Sequence, residues 1–193
     1  MKPNFSSDMP EENMSDRKRD AEKLLYDLGL LEELKKYGTP HVIGSYVMDA
    51  MADRDLDIDV TNDTMSTQKL YQLTNRLLAK YAPVWYEAKE EVTGDGKTVW
   101  FHGFETRILG ELWNVDIWFF DRETIGKAEE YCDGVKKELD KDPRKREAVI
   151  QIKKDLMSRN LYSFDQYKSI DVYKGVLEDG ILTTEEFLQR FEK

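Results

Sequence analysis

The chain has 193 residues, enough for one compact domain or for a domain with a small helical annex. Hydrophobic residues make up 40% and charged residues 35%, while 29 Lys+Arg against 39 Asp+Glu leave a net charge of −10. That balance is globular, and its sign argues against binding that rests on neutralising nucleic-acid phosphates or anionic lipid across a broad basic face.

Residues 1–14 carry few apolar side chains at any regular period and read as a disordered tail. They lack the basic start and apolar core of a signal peptide, and no apolar run approaches the roughly 20 residues of a bilayer span. The expectation is a cytoplasmic protein with no membrane partner. Ser15 and Asp16 offer helix-start chemistry, and Leu24, Leu25, Leu28, Leu31 and Leu34 then recur at helical steps. Gly29 bends or splits this helix, and Gly38 with Pro40 ends it.

The short apolar stretch His41-Val42-Ile43 runs into Gly44-Ser45. From Asp55 to Val60 the chain alternates, so Leu56, Ile58 and Val60 share one strand face and Asp55, Asp57 and Asp59 share the other. Residues 64–80 read as a helix, with Met65, Leu70, Leu73 and Leu77 on one side. Three β-rich stretches follow, at 83–87, 97–108 and 112–120, the first two separated by a Gly94-Asp95-Gly96 turn.

Beyond Asp121 the pattern is helical: 123–139, 143–159 with Pro143 in its first turn, 169–177, and 184–191 behind a Thr183/Glu186 capping box. The fold class is therefore α+β, a mixed or antiparallel sheet of about five strands flanked by helices. Residues 15–121 form its core, and residues 122–193 form a helical region packed on it.

The chemistry gathers at a Gly-Ser turn, a strand with alternating acids and a later strand acid. Gly44-Ser45 precedes Asp55 by nine intervening residues, 46–54. Asp116 stands among Trp113, Ile117, Trp118 and Phe119, where an ionised carboxylate needs a partner; Arg107 or a shared divalent cation would supply one. Carboxylates are hard oxygen ligands for Mg²⁺, which commonly takes one or two of them and fills its other sites with phosphate oxygens. Glycine allows close backbone approach, and a backbone N–H with the Ser45 hydroxyl can grip a terminal phosphate. Cys132, the single cysteine, excludes an intramolecular disulfide, and it reads with His41 and His102 as packing or hydrogen bonding rather than catalysis.

Gly44-Ser45, Asp55-Leu56-Asp57-Ile58 and Val115-Asp116-Ile117 together resemble the three-part signature of the polymerase-beta-like nucleotidyltransferase superfamily. The resemblance covers roughly residues 40–121, and the chain is similar in size to the antibiotic-modifying members. It implies Mg²⁺-dependent transfer of a nucleoside monophosphate from a nucleotide triphosphate, ATP by expectation, to an acceptor hydroxyl, with release of pyrophosphate.

On that resemblance, Asp55, Asp57 and Asp116 are catalytic and hold two Mg²⁺ ions. Gly44 and Ser45 hold the terminal phosphates, and Arg54 and Lys127 are their counter-charges. The strand runs on through Ile58, Asp59 and Val60 beyond the first pair, which favours Asp55 with Asp57; Asp57 with Asp59 is the other register, with eleven intervening residues. The acidic balance suits a small cationic acceptor of aminoglycoside type, or a protein, better than RNA. The alternatives are a catalytically silent nucleotide-binding or antitoxin-like module of the same fold, and an adaptor working through its C-terminal helices.

Overall fold

The computed structural model describes residues 14–163 and 165–191. The expected tail lies outside the described residues up to position 13, and Met14 already opens the first helix. That helix, α1 (Met14–Glu22), passes through one π-helical turn (Lys23–Asp27) and is followed by α2 (Leu30–Leu34). Gly29 separates the two at φ 67°, a left-handed conformation that suits glycine. The leucine stripe is buried on both sides of this break, at Leu24, Leu25, Leu30 and Leu34.

The sheet has five strands in the order β1-β2-β5-β4-β3. These are β1 (Pro40–Ile43), β2 (Asp55–Thr61), β3 (Trp85–Val92), β4 (Thr98–Ile108) and β5 (Glu111–Phe120). β2 and β5 run parallel and every other neighbouring pair is antiparallel, so the sheet is mixed, as the alternation and turns led one to expect. α3 (Gly44–Val47) is a single short turn between β1 and β2, and α4 (Thr67–Tyr81) connects β2 to β3. Ser66 caps α4 by accepting from the Lys69 N–H at 3.3 Å.

One sheet face is apolar. Leu56, Ile58 and Val60 of β2 join Phe104, Val115, Ile117 and Phe119 in a cluster with Leu70, Leu73 and Leu77 of α4 and the N-terminal leucines. The C-terminal helices are α5 (Arg122–Lys141), α6 (Pro143–Ser158), α7 (Ser169–Leu177) and α8 (Thr184–Arg190). Asp121, Asp142 and Thr183 cap α5, α6 and α8 with side-chain oxygens. These helices enclose a second core that also takes in Met48 and Ala50, so packing crosses the chain boundary expected near residue 121. α5 lies over β1 and β2 and beside α3, which places the helical region against the turn at Gly44. Among the described residues, no helix is long and apolar enough to cross a membrane.

Candidate active site

Strand pairing sets the position of the acids. Parallel register places Asp55 opposite Asn114, Asp57 opposite Asp116 and Asp59 opposite Trp118, so these side chains leave the sheet on the same face. Asp55, Asp57 and Asp116 line one cleft of about 500 Å³. Gly44, Ser45 and Met48 close it at the turn, and Asp53 adds a fourth carboxylate. Lys153, Tyr162, Lys168 and Ser169 reach it from the helical region.

The cleft is short of positive charge. Burial, then the neighbouring Asp53, pushes the Asp55 carboxyl up to about 6. Burial raises Asp57 well above the usual carboxylate range, with Asp55 and Asp116 adding repulsion. Burial also raises Asp116, against an opposing hydrogen bond from Asn114. The Asn114 amide donates to Asp55 Oδ1 at 2.7 Å and to Asp116 Oδ1 at 3.4 Å, so one side chain spans both acids. Arg107, the expected rival partner of Asp116, instead donates to the Gly110 carbonyl at 3.2 Å.

Lys153 is the buried cation of this site. Its side chain is only 3% exposed. Burial pulls its ammonium down to about 8, although Asp53, Asp57 and Asp55 favour its charged form. It donates to the Tyr173 hydroxyl at 3.2 Å and lies 4.4 Å from the centre of that ring. Among the described residues, no three His, Cys, Asp or Glu side chains are gathered closely enough to hold a metal ion as they stand. The donor chemistry nevertheless suits Mg²⁺, which needs only one or two carboxylates when phosphate oxygens complete its shell.

Gly44 is required twice over. Its φ is 71°, and a Cβ at this position would stand 2.1 Å from Asp57 Oδ2, so only glycine brings the turn against that carboxylate. Its N–H donates to Cys132 Sγ at 3.3 Å, which fastens the turn to α5. Asp49, at φ 52°, is held by both Lys18 and Lys136 and ties the segment after the turn to α1 and α5. Gly44→Ala is therefore expected to cost roughly 2 kcal/mol or more from left-handed strain and crowding. In a thermal melt this is a fall of about 5 °C or more for a domain of this size.

Two expected counter-charges lie elsewhere. Lys127 is on the exposed side of α5 and pairs with Glu123, one helical turn away, at 2.7 Å. Arg54 faces Glu111, in the strand bordering the acids, at 3.4 Å and does not line the cleft. Lys127 is thus engaged by a partner one turn away on its own helix, whereas the carboxylate facing Arg54 lies far along the chain. Asp59, the acid of the alternative register, is 3% exposed and also outside the cleft lining. Burial raises it to about 6, with His41 opposing, and His41 itself meets Glu129 at 2.7 Å.

Lys153 does leave a trace in the sequence. It sits four residues after Val149, beside Ile152 and ahead of Leu156, on the buried stripe of α6. A lysine on such a stripe needs a partner. Tyr162, Lys168 and Ser169 carry no such signal, because they approach the acids only through the packing of the α6–α7 connection.

These shifts fix how stability depends on pH. Asp55 and Asp59, each at about 6, and Asp57 bind protons in the folded chain above their unfolded values, so their contribution grows as pH falls toward 5. His102, held by burial at about 4, works the other way below its ordinary value of 6.5. Burial raises Asp53 and Asp116 as well, and together these carboxylates outweigh one imidazole. The ligand-free chain is expected to melt about 5 °C higher at pH 5.5 than at pH 7.5, read by circular dichroism.

No family model and no curated protein matches this sequence. Solved structures do match its fold. The Cid1 poly(U) polymerase bound to Mg and 3′-dATP aligns with a TM-score of 0.60 at 18% identity, over 84% of this chain and 49% of that one. A cytoplasmic RNA terminal U-transferase aligns at 0.55 and 18% identity, over 84% and 47%. The poly(A) polymerase complex of GLD-2 with GLD-3 aligns at 0.51 and 15% identity, over 93% and 62%. The chain has the polymerase-beta-like nucleotidyltransferase fold, and it spans about half the length of the first two structures it matches.

Proposed function

We propose that this protein is an Mg²⁺-dependent nucleotidyltransferase. The observation that carries this reading is the convergence of Asp55, Asp57 and Asp116 on one cleft that also contains the Gly44-Ser45 turn and a buried lysine. Asp55 and Asp57 would hold Mg²⁺ together with the triphosphate, and Asp116 would face the acceptor hydroxyl. When bound, the ion supplies charge neutralisation at the reacting phosphate.

Ser45 and Lys153 orient the triphosphate, with Lys168 and Ser169 also lining the cleft. Lys153 places a fixed positive charge where the leaving pyrophosphate gains negative charge. The acceptor oxygen bonds to the α-phosphorus as the bond from that phosphorus to the bridging oxygen breaks. The hydroxyl proton passes to the Asp116 carboxylate, and pyrophosphate departs. Aspartates kept short of cations in the ligand-free chain are suited to this exchange, because substrate and ion arrive together and cancel the repulsion.

RNA is named for the terminal U-transferase of like fold and for the terminal uridylyl transferase activity of Cid1. The net charge of −10 supports a small cationic acceptor here, as do the acids around Asp116. Calorimetric titration with ATP, with and without Mg²⁺, and pyrophosphate release over a set of acceptors test the reading. Metal-dependent binding with acceptor-dependent release supports it. Binding without release on any acceptor leaves the silent nucleotide-binding module, and absence of both defeats the nucleotide reading.

A further inference from the structure

Among the described residues, the acid-bearing face of the sheet continues past Asp116 onto β4 and β3, away from α5. Helix α5 lies over β1 and β2, whereas α4 approaches β3 and β4 from the opposite face, where Tyr86 donates to Thr74. The cross-strand rows on the open face follow from register. Asp116 lies beside Gly103, and Gly103 beside Glu87; the next row is Trp118, Phe101 and Lys89.

Rings tile this second row. Phe101 and Trp118 have centroids 4.6 Å apart, and Trp118 stacks on Phe120 at 5.3 Å with planes 7° apart. Gly103 leaves the space into which Phe101 leans: a Cβ there would meet that ring at 2.7 Å and Trp85 at 3.1 Å. The Lys89 ammonium rests 5.3 Å from the Phe101 centroid and 5.8 Å from that of Trp118, so these ring faces already hold a cation. Lys89 is in turn flanked by Glu91 at 2.8 Å and Glu87 at 3.7 Å. On this part of the face Glu87, Glu91, Glu105 and Asp116 oppose a single lysine, a charge pattern that repels phosphodiesters and attracts cations.

We propose that the surface formed by half-buried Trp118 and Phe120 over the buried Phe101 ring, rimmed by Glu87 and Glu91, is the acceptor site, and that it takes a hydroxyl-bearing organic cation. The inference rests on the nucleotidyltransfer reading above. An acceptor seated on Trp118 lies one pleat repeat, about 7 Å along the strand, from Asp116. Its ammonium group takes over the ring faces and carboxylates that Lys89 engages, and a hydroxyl on the same molecule reaches the acid. A polynucleotide would stack on the same rings but would bring its phosphates against the glutamates.

The test uses the full chain, with kanamycin as the cationic probe and a ten-residue oligoadenylate as the nucleic-acid probe. Kanamycin is expected to bind, to quench tryptophan fluorescence and to weaken with added salt. Trp118→Ala should weaken it tenfold or more and Glu87→Gln about threefold, while Trp118→Phe retains it. MgATP affinity should stay within twofold in all three variants. The inference is overturned if kanamycin does not bind, if both weakening substitutions leave its affinity unchanged, or if oligoadenylate binds this face in its place. Absence of MgATP binding to the unaltered chain overturns the transfer reading itself, and with it the description of this face as an acceptor site.

Discussion

Asp57→Asn is expected to abolish nucleotidyl transfer while raising the melting temperature of the ligand-free chain. Asp57 lies between Asp55 and Asp116 in the cleft, and both neighbours add to the burial that disfavours its charge. Asparagine keeps the shape and removes a repelled buried charge, so at pH 7.5 the folded state gains a few degrees. On the proposed function it also removes one of the two carboxylates that would hold Mg²⁺. A loss of about 1000-fold in kcat is expected, corresponding to roughly 4 kcal/mol of barrier. The gain in melting temperature between pH 7.5 and 5.5 should shrink in the same variant, because one of the proton-binding acids is gone.

Asp59→Asn is the matched control. Asp59 lies outside the cleft, so turnover should stay within about threefold, a barrier change well below 1 kcal/mol. If Asp57→Asn retains turnover, the site is not catalytic. If Asp59→Asn abolishes it, the pair of acids is Asp57 with Asp59.

Lys153→Met should move stability in the other direction. The ammonium is buried against three aspartates, and its removal leaves carboxylates with no fixed counter-charge on that side. Breaking such a buried arrangement from one side costs about 3–5 kcal/mol. In thermal melts at pH 7.5 this is a drop of about 10 °C. Most of the drop should be recovered at pH 5, where protonated aspartates need no partner, and part of it on adding Mg²⁺. MgATP affinity should fall about 10- to 100-fold, the scale of a charge-assisted contact to phosphate, about 1.4–2.7 kcal/mol. Unchanged MgATP affinity with lowered stability would show that Lys153 serves the fold alone. Lys127→Ala, on the exposed side of α5, should change neither quantity.

Helix and strand positions were legible because periodicity reports which side chains are buried. The alternation at Asp55–Val60 is a property of one strand, and the observed strand Asp55–Thr61 follows it closely. The leucines of α4 likewise announce a helix packed on one side. The third strand was read too short, at 83–87 against Trp85–Val92. Its residues Lys89, Glu90 and Glu91 look like a loop until β4 supplies their hydrogen-bond partners.

Charge partners were the least legible feature. Arg54 and Lys127 are near the acidic segments in the chain, and proximity in sequence alone suggests a place at the phosphates. Glu123 stands one helical turn before Lys127 in the sequence, but Glu111 meets Arg54 only through the fold.

Taken alone, the amino-acid order determined the α+β class, the acidic face of β2, the glycine at the turn and the apolar setting of Asp116. Each depends on the alternation or conformational freedom of a few consecutive residues. Tertiary structure alone decided that β2 and β5 lie parallel with Asp57 opposite Asp116. It also decided that a lysine nearly a hundred residues after Asp57 supplies the counter-charge, and that an aromatic surface opens beside Asp116. Those results depend on strand register and on helices packing across the sheet, and long-range pairing of this kind leaves no periodic mark on the chain.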